Sequence, residues 1–253
     1  QRWGNHFMRY YPKDTASVDP TDLWDEPTYL PESMGTYSSF CGYNGKIYYL
    51  ANNGNFRRYN INTDEWSDLE TVPTAPYHRS NLLPVEYEGD AYIYYVRGDD
   101  QYEFYRYNIA ANSWETPSNS TITAPQYDFE AGNCMAQYGD YLYVLRGQST
   151  QFWRYHLGNN EWEYDLDPIS DKVDIGGQMV YAKVNGNNRL YVLVGNHART
   201  FKYYNLDSQS WATVSVKSCP IAIHNARSRL INPGFGDYLY FLHGSSYHTW
   251  SQH

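Results

Sequence analysis

One phrase returns along this chain at a nearly constant spacing. An apolar run that ends at or near a glycine is followed by a loop, an aromatic segment of the type Phe152-Trp153-Arg154-Tyr155, and then a tryptophan. The aromatic segments begin at Phe7, Phe56, Phe104, Phe152 and Phe201, which are 49, 48, 48 and 49 residues apart, and a degenerate sixth begins at Thr249. A fixed period of this size indicates a repeat protein.

Each repeat divides into four short strands. In residues 133–168, a run starting at Asn133 leads to the turn Tyr138-Gly139-Asp140 and then to the run Tyr141-Leu142-Tyr143-Val144-Leu145. A loop, the aromatic segment, a second turn and a strand opened by Trp162 follow. Aromatic and β-branched runs separated by glycine, asparagine and aspartate are typical of strands, and no segment has helical periodicity.

Four-stranded units of this length, repeated around a channel, form a β-propeller. We predict an all-β fold: a five-bladed β-propeller of four-stranded antiparallel blades, in one domain over residues 1–253. The phase of the repeat predicts that residues 7–11 pair with residues 238–242, so that N- and C-terminal strands close the ring in one blade. We also expect the repeated tryptophans to be mostly buried between blades; they are Trp66, Trp114, Trp162 and Trp211.

The motifs Leu145-Arg146-Gly147, Phe152-Trp153-Arg154-Tyr155 and Trp162 resemble Kelch-type repeats, especially those of microbial extracellular proteins. The resemblance extends over about residues 7–250. It implies that the loop before the first strand and the loop between the second and third strands lie on one face, which usually carries ligands. The usual glycine doublet after the second strand is replaced, by Arg146-Gly147 in this unit and by Ala51-Asn52 in an earlier one.

Composition and hydropathy argue against nucleic acid as a partner and against a membrane-spanning segment. The net charge of −9 argues against binding to nucleic acid, which requires clustered lysine and arginine. No apolar stretch is long enough to span a membrane. The three cysteines have no CxxC spacing, so we interpret Cys41, Cys134 and Cys219 as small buried side chains.

The loops that lead into each first strand diverge, whereas the strands repeat closely. Divergent loops on a repeated scaffold are where binding sites usually lie. The candidate ligand-binding residues are therefore Tyr37, Tyr77, His78, Arg79, Tyr127, Asp128, Glu130, His224, Asn225 and Arg227. We expect them to cluster on the face where the first strands begin.

Two arginine sets recur in the repeat and are expected to be structural. Arg97 and Arg146 end second strands, where they would pair with neighbouring blades or backbone carbonyls. The aliphatic parts of the third-strand arginine side chains should cover tryptophan or tyrosine rings. These arginines are Arg9, Arg58, Arg106 and Arg154.

A cation site is one alternative for the divergent loops. His78 and His224 occupy equivalent positions, and Asp128 and Glu130 lie in another such loop. We favour ordinary polar loop residues, and expect no metal and no cofactor.

These observations favour a non-catalytic, secreted binding module for a carbohydrate or a protein ligand, because tyrosine, asparagine and aspartate stack on and hydrogen-bond to sugars. The alternative is a sugar or sugar-acid isomerase or hydrolase at the same face, with Arg79 and Glu130 as its reactive groups. The motifs GxSxG and HExxH do not occur.

Overall fold

The computed structural model describes residues 9–10, 24–25, 28–35, 37–98, 100–213, 229–232, 234 and 238–242. All regular secondary structure in these ranges is β-strand. Four complete antiparallel sheets follow one another along the chain, and each has its four strands in sequence order.

The strands of the complete sheets have these bounds. The first sheet contains β3 (Ser39–Tyr43), β4 (Lys46–Leu50), β5 (Phe56–Asn60) and β6 (Glu65–Asp68). The second contains β7 (Asn81–Tyr87), β8 (Asp90–Val96), β9 (Phe104–Asn108) and β10 (Ser113–Glu115). The third contains β11 (Cys134–Tyr138), β12 (Tyr141–Leu145), β13 (Phe152–His156) and β14 (Glu161–Glu163). The fourth contains β15 (Gln178–Val184), β16 (Asn187–Leu193), β17 (Phe201–Asn205) and β18 (Ser210–Thr213).

Two further sheets have two strands each. One pairs β1 (Arg9–Tyr10) with β2 (Trp24–Asp25), and the other pairs β19 (Arg229–Ile231) with β20 (Tyr240–Leu242). Tyr10 faces Trp24 in the register, as Tyr59 faces Trp66 in the first complete sheet. The N-terminal pair therefore has the register of third and fourth strands, in agreement with the phase of the repeat.

Ring closure would join these two pairs into a fifth sheet. Within the described residues they form separate sheets, and no pairing of β1 with β20 is recorded there. Phe7, Met8 and Tyr11, which belong to the expected closing strand, lie outside the described residues.

The second strand of each complete sheet is buried on both faces. Ile93, Tyr94, Tyr95 and Val96 are consecutive, and each is at most 1% exposed. Since successive strand residues point to opposite faces, both faces of the sheet must be covered. The first strands of successive sheets also contact one another, from β3 to β7, β11, β15 and β19. The sheets therefore stack side by side in a β-propeller-like arrangement.

An aromatic triad joins each complete sheet to the next. The Phe104 ring of the second sheet lies 4.9 Å, between ring centroids, from both Tyr155 and Trp162 of the third. Edge-to-face and tilted ring pairs at such distances are favourable beyond the area that they bury. The same triad recurs at both other boundaries, as Phe56 with Tyr107 and Trp114, and as Phe152 with Tyr204 and Trp211.

The tryptophans are less buried than we expected. Trp114 is 5% exposed, whereas Trp66, Trp162 and Trp211 are only half-buried. The Trp114 indole N–H donates to the carbonyl of Glu70, at 2.8 Å, in the segment that leads into its own sheet. Trp162 and Trp211 make the equivalent bond. This bond holds the indole at the rim of the sheet boundary, whereas the phenylalanine and the tyrosine of the triad are fully buried.

Two of the third-strand arginines, Arg106 and Arg154, cover tyrosine rings as we expected. The Arg106 guanidinium lies 4.8 Å from the centre of the Tyr92 ring, and that of Arg154 lies 4.2 Å from the Tyr141 ring. In the fourth sheet the pair is reversed, with Arg189 on the second strand over Tyr203 on the third. The cation–π pair is thus kept when the two residues exchange strands.

Two other expectations concern the cysteines and the membrane. Cys134 is buried and Cys41 half-buried, both are free, and burial raises the pKa of each thiol. Cys219 lies outside the described residues. In the described part of the chain, no helix has the length and apolar character needed to cross a membrane.

Replacing Phe152 with alanine should lower the free energy of unfolding by about 3–5 kcal/mol, because a buried ring is lost from a sheet boundary. Urea denaturation followed by circular dichroism measures this loss. Tyr102→Ala is the control, since its ring is 52% exposed and its removal should change stability by less than about 0.5 kcal/mol. A loss below about 1 kcal/mol for Phe152→Ala would contradict the triad's role.

Candidate ligand-binding face

The strand register places two loops of every sheet at the same end. In the first sheet Ser39 pairs with Leu50, and Leu50 pairs with Phe56. The loop that leads into the first strand therefore lies beside the loop between the second and third strands. We call the end formed by these loops the mouth face; it consists of residues 31–38, 51–55, 75–80, 97–103, 126–133, 146–151, 170–177 and 194–200 within the described ranges.

In the second, third and fourth sheets, a glycine after the second strand lets these two loops touch. A Cβ atom at Gly147 would lie 2.1 Å from the carbonyl oxygen of Ala131, and one at Gly98 would lie 2.2 Å from that of His78. The space beside each glycine is thus filled by the backbone of the leading loop. This contact explains why the glycine recurs.

Asn52 replaces this glycine in the first sheet. Its Oδ1 atom accepts hydrogen bonds from the Tyr37 backbone N–H, at 2.8 Å, and from the Ser38 hydroxyl, at 3.2 Å. The asparagine side chain therefore holds the leading loop where the other sheets use close backbone packing.

Arg97 ties both loops of the second sheet together. Its Nε donates to the carbonyl of Ala75 in the leading loop, at 3.0 Å. Its Nη1 donates to the side chains of Gln101 and Glu103 in the other loop, at 2.7 and 3.0 Å. Arg146 does the same in the third sheet, donating to the Asp128 carbonyl at 3.0 Å and to the Gln151 side chain at 3.4 Å. Both arginines have the expected structural role.

Three predicted residues meet in what we call the tyrosine cluster: Tyr37, Tyr77 and His78. The Tyr37 hydroxyl and His78 Nε2 are 3.2 Å apart, and the Tyr37 ring centroid lies 5.5 Å from that of Tyr77. Tyr37 comes from the first sheet, whereas the other two come from the second. Tyr77 keeps 40% of its surface exposed, and the Arg97 guanidinium lies 5.9 Å from its ring centre.

A second group, the acidic cluster, contains Asp100, Asp128 and Glu130. One carboxylate oxygen from each lies within 4.8 Å of the others. Arg146 forms salt bridges with Asp128 and, at 3.3 Å, with Glu130. The pKa of Glu130 is raised, first by desolvation and then by its hydrogen bond to Asp100.

The acidic cluster offers several acceptors on one patch. Carboxylate oxygens bind hydroxyl groups and are also the ligands that hard cations take. The arginine neutralises part of the charge, so the patch suits hydrogen-bond donors. Asp100 lies two residues after Gly98, whose backbone packs against the His78 carbonyl of the leading loop.

The structure separates some predicted residues. The Tyr127 ring packs against Trp153, with centroids 5.7 Å apart, and against Tyr164 at 5.5 Å. The Tyr127 ring therefore helps to cover the third sheet, and it keeps 37% of its surface exposed. Arg79 is half-buried, with a left-handed backbone φ of 63°. His224, Asn225 and Arg227 lie outside the described residues.

The structure bears on both alternatives raised by the sequence, the cation site and the enzyme. Among the described residues, the group that could hold a metal ion contains Asp100 with Asp128 and Glu130, without His78. Glu130, a reactive group of the enzyme alternative, forms a salt bridge with Arg146 at 3.3 Å. Asp100 was not among the residues predicted from the sequence. It could have been found as an acidic residue in the loop between the second and third strands, which also lies on the mouth face.

Comparisons with known proteins bear on the fold. No protein-family model matches the chain, and no curated protein sequence matches it. Among 599 matching chains of solved structures, the one described as "Structure of YjhT" is 12% identical with a TM-score of 0.53. The alignment covers 75% of this chain and 68% of that one. At this identity the likeness supports the propeller-like fold alone.

Replacing Gly147 with alanine should lower the free energy of unfolding by about 1–3 kcal/mol, because the new methyl group collides with the Ala131 carbonyl. Gly42→Ala is the matched control. Neither glycine has a left-handed φ, and a Cβ at Gly42 would meet no atom closer than 4.0 Å. Thermal denaturation of both variants tests the contact, and equal losses would contradict it.

Proposed function

We propose that this protein is an extracellular, non-catalytic binding module that holds a carbohydrate on its mouth face. The observation that carries the proposal is the tyrosine cluster. Tyr77 presents an exposed ring that is held in place by neighbouring rings of Tyr37 and His78. A fixed, partly exposed aromatic ring is suited to stack on the apolar face of a sugar.

The acidic cluster supports the same proposal. Sugar hydroxyls need acceptors as well as a stacking surface, and Asp100 lies in the loop that follows Gly98 beside His78. The Arg97 guanidinium could donate to a ring or hydroxyl oxygen, although its main bonds are to its own loops. A protein ligand with exposed hydroxyl groups would use the same acceptors.

Tyr77→Ala should weaken binding to a glycan-array hit by about tenfold, because a stacking contact of about 1–1.5 kcal/mol is lost. Tyr29→Ala is the matched control. Tyr29 is 58% exposed and lines a recess that Thr63 and Asp64 of the β5–β6 turn also line. Calorimetric titration of both variants measures the affinities. Unchanged binding by Tyr77→Ala, or an equal loss in the control, would contradict the site.

The raised pKa of Glu130 favours a second candidate, a sugar or sugar-acid isomerase or hydrolase. A carboxyl group that titrates closer to neutral pH is suited to proton transfer. For such an enzyme, Glu130→Gln should keep substrate binding and lower turnover by about 100-fold or more. Wild-type protein that binds a sugar without converting it would exclude this candidate.

We also propose that the chain forms a Kelch-like ring of five blades. The resemblance of its motifs to Kelch-type repeats supports this, as do the Tyr10–Trp24 register and the contact of β19 with β15. In this ring β1 pairs with β20, so that the two half-sheets complete one blade.

Deleting residues 1–12 should then lower the melting temperature by several degrees, because the deletion removes β1 and exposes an edge of the last blade. Differential scanning calorimetry measures the change. An unchanged melting curve would argue against closure by this strand.

A further inference from the structure

A recess lies at the end of the sheets opposite the mouth face. It is formed between the second and third sheets by the turn after β7 and the turn after β13, and has a volume of about 430 Å³. Its lining includes Tyr87, Glu88, Asp90, Tyr92 and His156. We call it the turn-side recess.

His156 departs from the repeat at this recess. The equivalent residues Asn60, Asn108 and Asn205 each accept a hydrogen bond from a backbone N–H of the following turn. His156 keeps this capping role, because its Nδ1 accepts from the backbone N–H groups of Gly158 and Asn159, at 3.1 and 3.2 Å. The turn therefore does not need a histidine.

The histidine adds a donor to the recess. Because Nδ1 accepts two hydrogen bonds, the proton of the neutral imidazole is on Nε2. The His156 ring lines the recess. Within the described part of the chain, both of its hydrogen bonds are made by Nδ1 and none by Nε2. An asparagine side chain, which the other repeats use for the cap, would not reach as far.

Gly158 shapes the same wall. A Cβ atom at this position would lie 2.5 Å from the Tyr87 hydroxyl oxygen of the neighbouring sheet. The other repeats carry Asn62, Ala110 or Asp207 here. The glycine thus allows the Tyr87 ring to cross the boundary and to form one side of the recess.

The chemistry of the lining selects the ligand. Glu88 and Asp90 are exposed carboxylates, and each has one recorded hydrogen bond, from Tyr87 and Tyr92 respectively. Arg106 also lines the recess, but its charge is paired with Glu115 at 2.6 Å. The recess is therefore negative overall, which disfavours anions. The recess thus offers carboxylates that accept hydrogen bonds from hydroxyl groups, an imidazole that donates one, and tyrosine rings. This combination matches a neutral sugar.

We propose that the turn-side recess binds a neutral monosaccharide unit. Its hydroxyl groups donate to Glu88 and Asp90, a ring or hydroxyl oxygen accepts from His156 Nε2, and Tyr87 provides an apolar wall. The recess volume lies within the range of small-ligand sites. This site is separate from the mouth face and does not depend on the function proposed there.

The test uses glucose, galactose, mannose and N-acetylglucosamine as probes at millimolar concentrations. Saturation-transfer NMR detects binding to the full chain, and the imidazole ¹H–¹⁵N spectrum reports on His156. We expect saturable binding of at least one sugar, with a shift of the His156 Nε2 resonance. His156→Asn restores the repeat's cap and should weaken this binding about fivefold or more, as expected for one lost hydrogen bond.

Two further variants separate the sites. Gly158→Ala should weaken binding at the recess, because its methyl group displaces Tyr87, whereas Tyr77→Ala on the mouth face should leave that binding unchanged. Three results would overturn the proposal: no sugar binds, binding is undiminished in both His156→Asn and Gly158→Ala, or Tyr77→Ala abolishes all binding.

Discussion

Neighbouring sheets are joined by a phenylalanine that packs its ring against the tyrosine and tryptophan of the next sheet. Phe104 is 0% exposed and touches Tyr155 and Trp162 across one boundary. A four-stranded sheet of this size cannot bury both faces by itself, so its stability depends on its neighbours. The period of 48–49 residues repeats these contacts at all three boundaries between the complete sheets.

The mouth face follows from this stacking. The triads set the spacing of the sheets, and the glycines after the second strands then bring each pair of loops together. Arg97 and Arg146 hold the loops through backbone carbonyls, which every sequence provides. The remaining loop residues are free to differ between repeats. The tyrosine and acidic clusters therefore form where unlike loops of adjacent sheets meet.

Much of the fold could be predicted because its signals are local and repeated. The runs that end at Leu145 and begin at Phe152 are strands, as the pattern indicated. The burial of Trp162 could not be predicted, because it depends on a bond to the Thr123 carbonyl in a linking segment. The fifth sheet stays a prediction, since much of it falls outside the described residues.

The candidate site was only partly predictable for a similar reason. Tyr37 and His78 were found from loop position, but their contact depends on the packing of two sheets. The packing of Tyr127 could not be predicted, because it depends on Trp153, which stands where Tyr105 stands in the preceding sheet. Asp100 was missed because its partner Glu130 lies in the next repeat, and nothing in local sequence links the two.

A double-mutant cycle between Phe104 and Trp162 measures directly how strongly a triad joins two sheets. Their rings lie 4.9 Å apart on different sheets, so the free energies of unfolding of Phe104→Ala, Trp162→Ala and the double variant isolate the contact. We expect a favourable coupling of about 0.5–1.5 kcal/mol, as for other aromatic pairs. Additive losses, with a coupling indistinguishable from zero, would contradict the claim that the triads join the sheets.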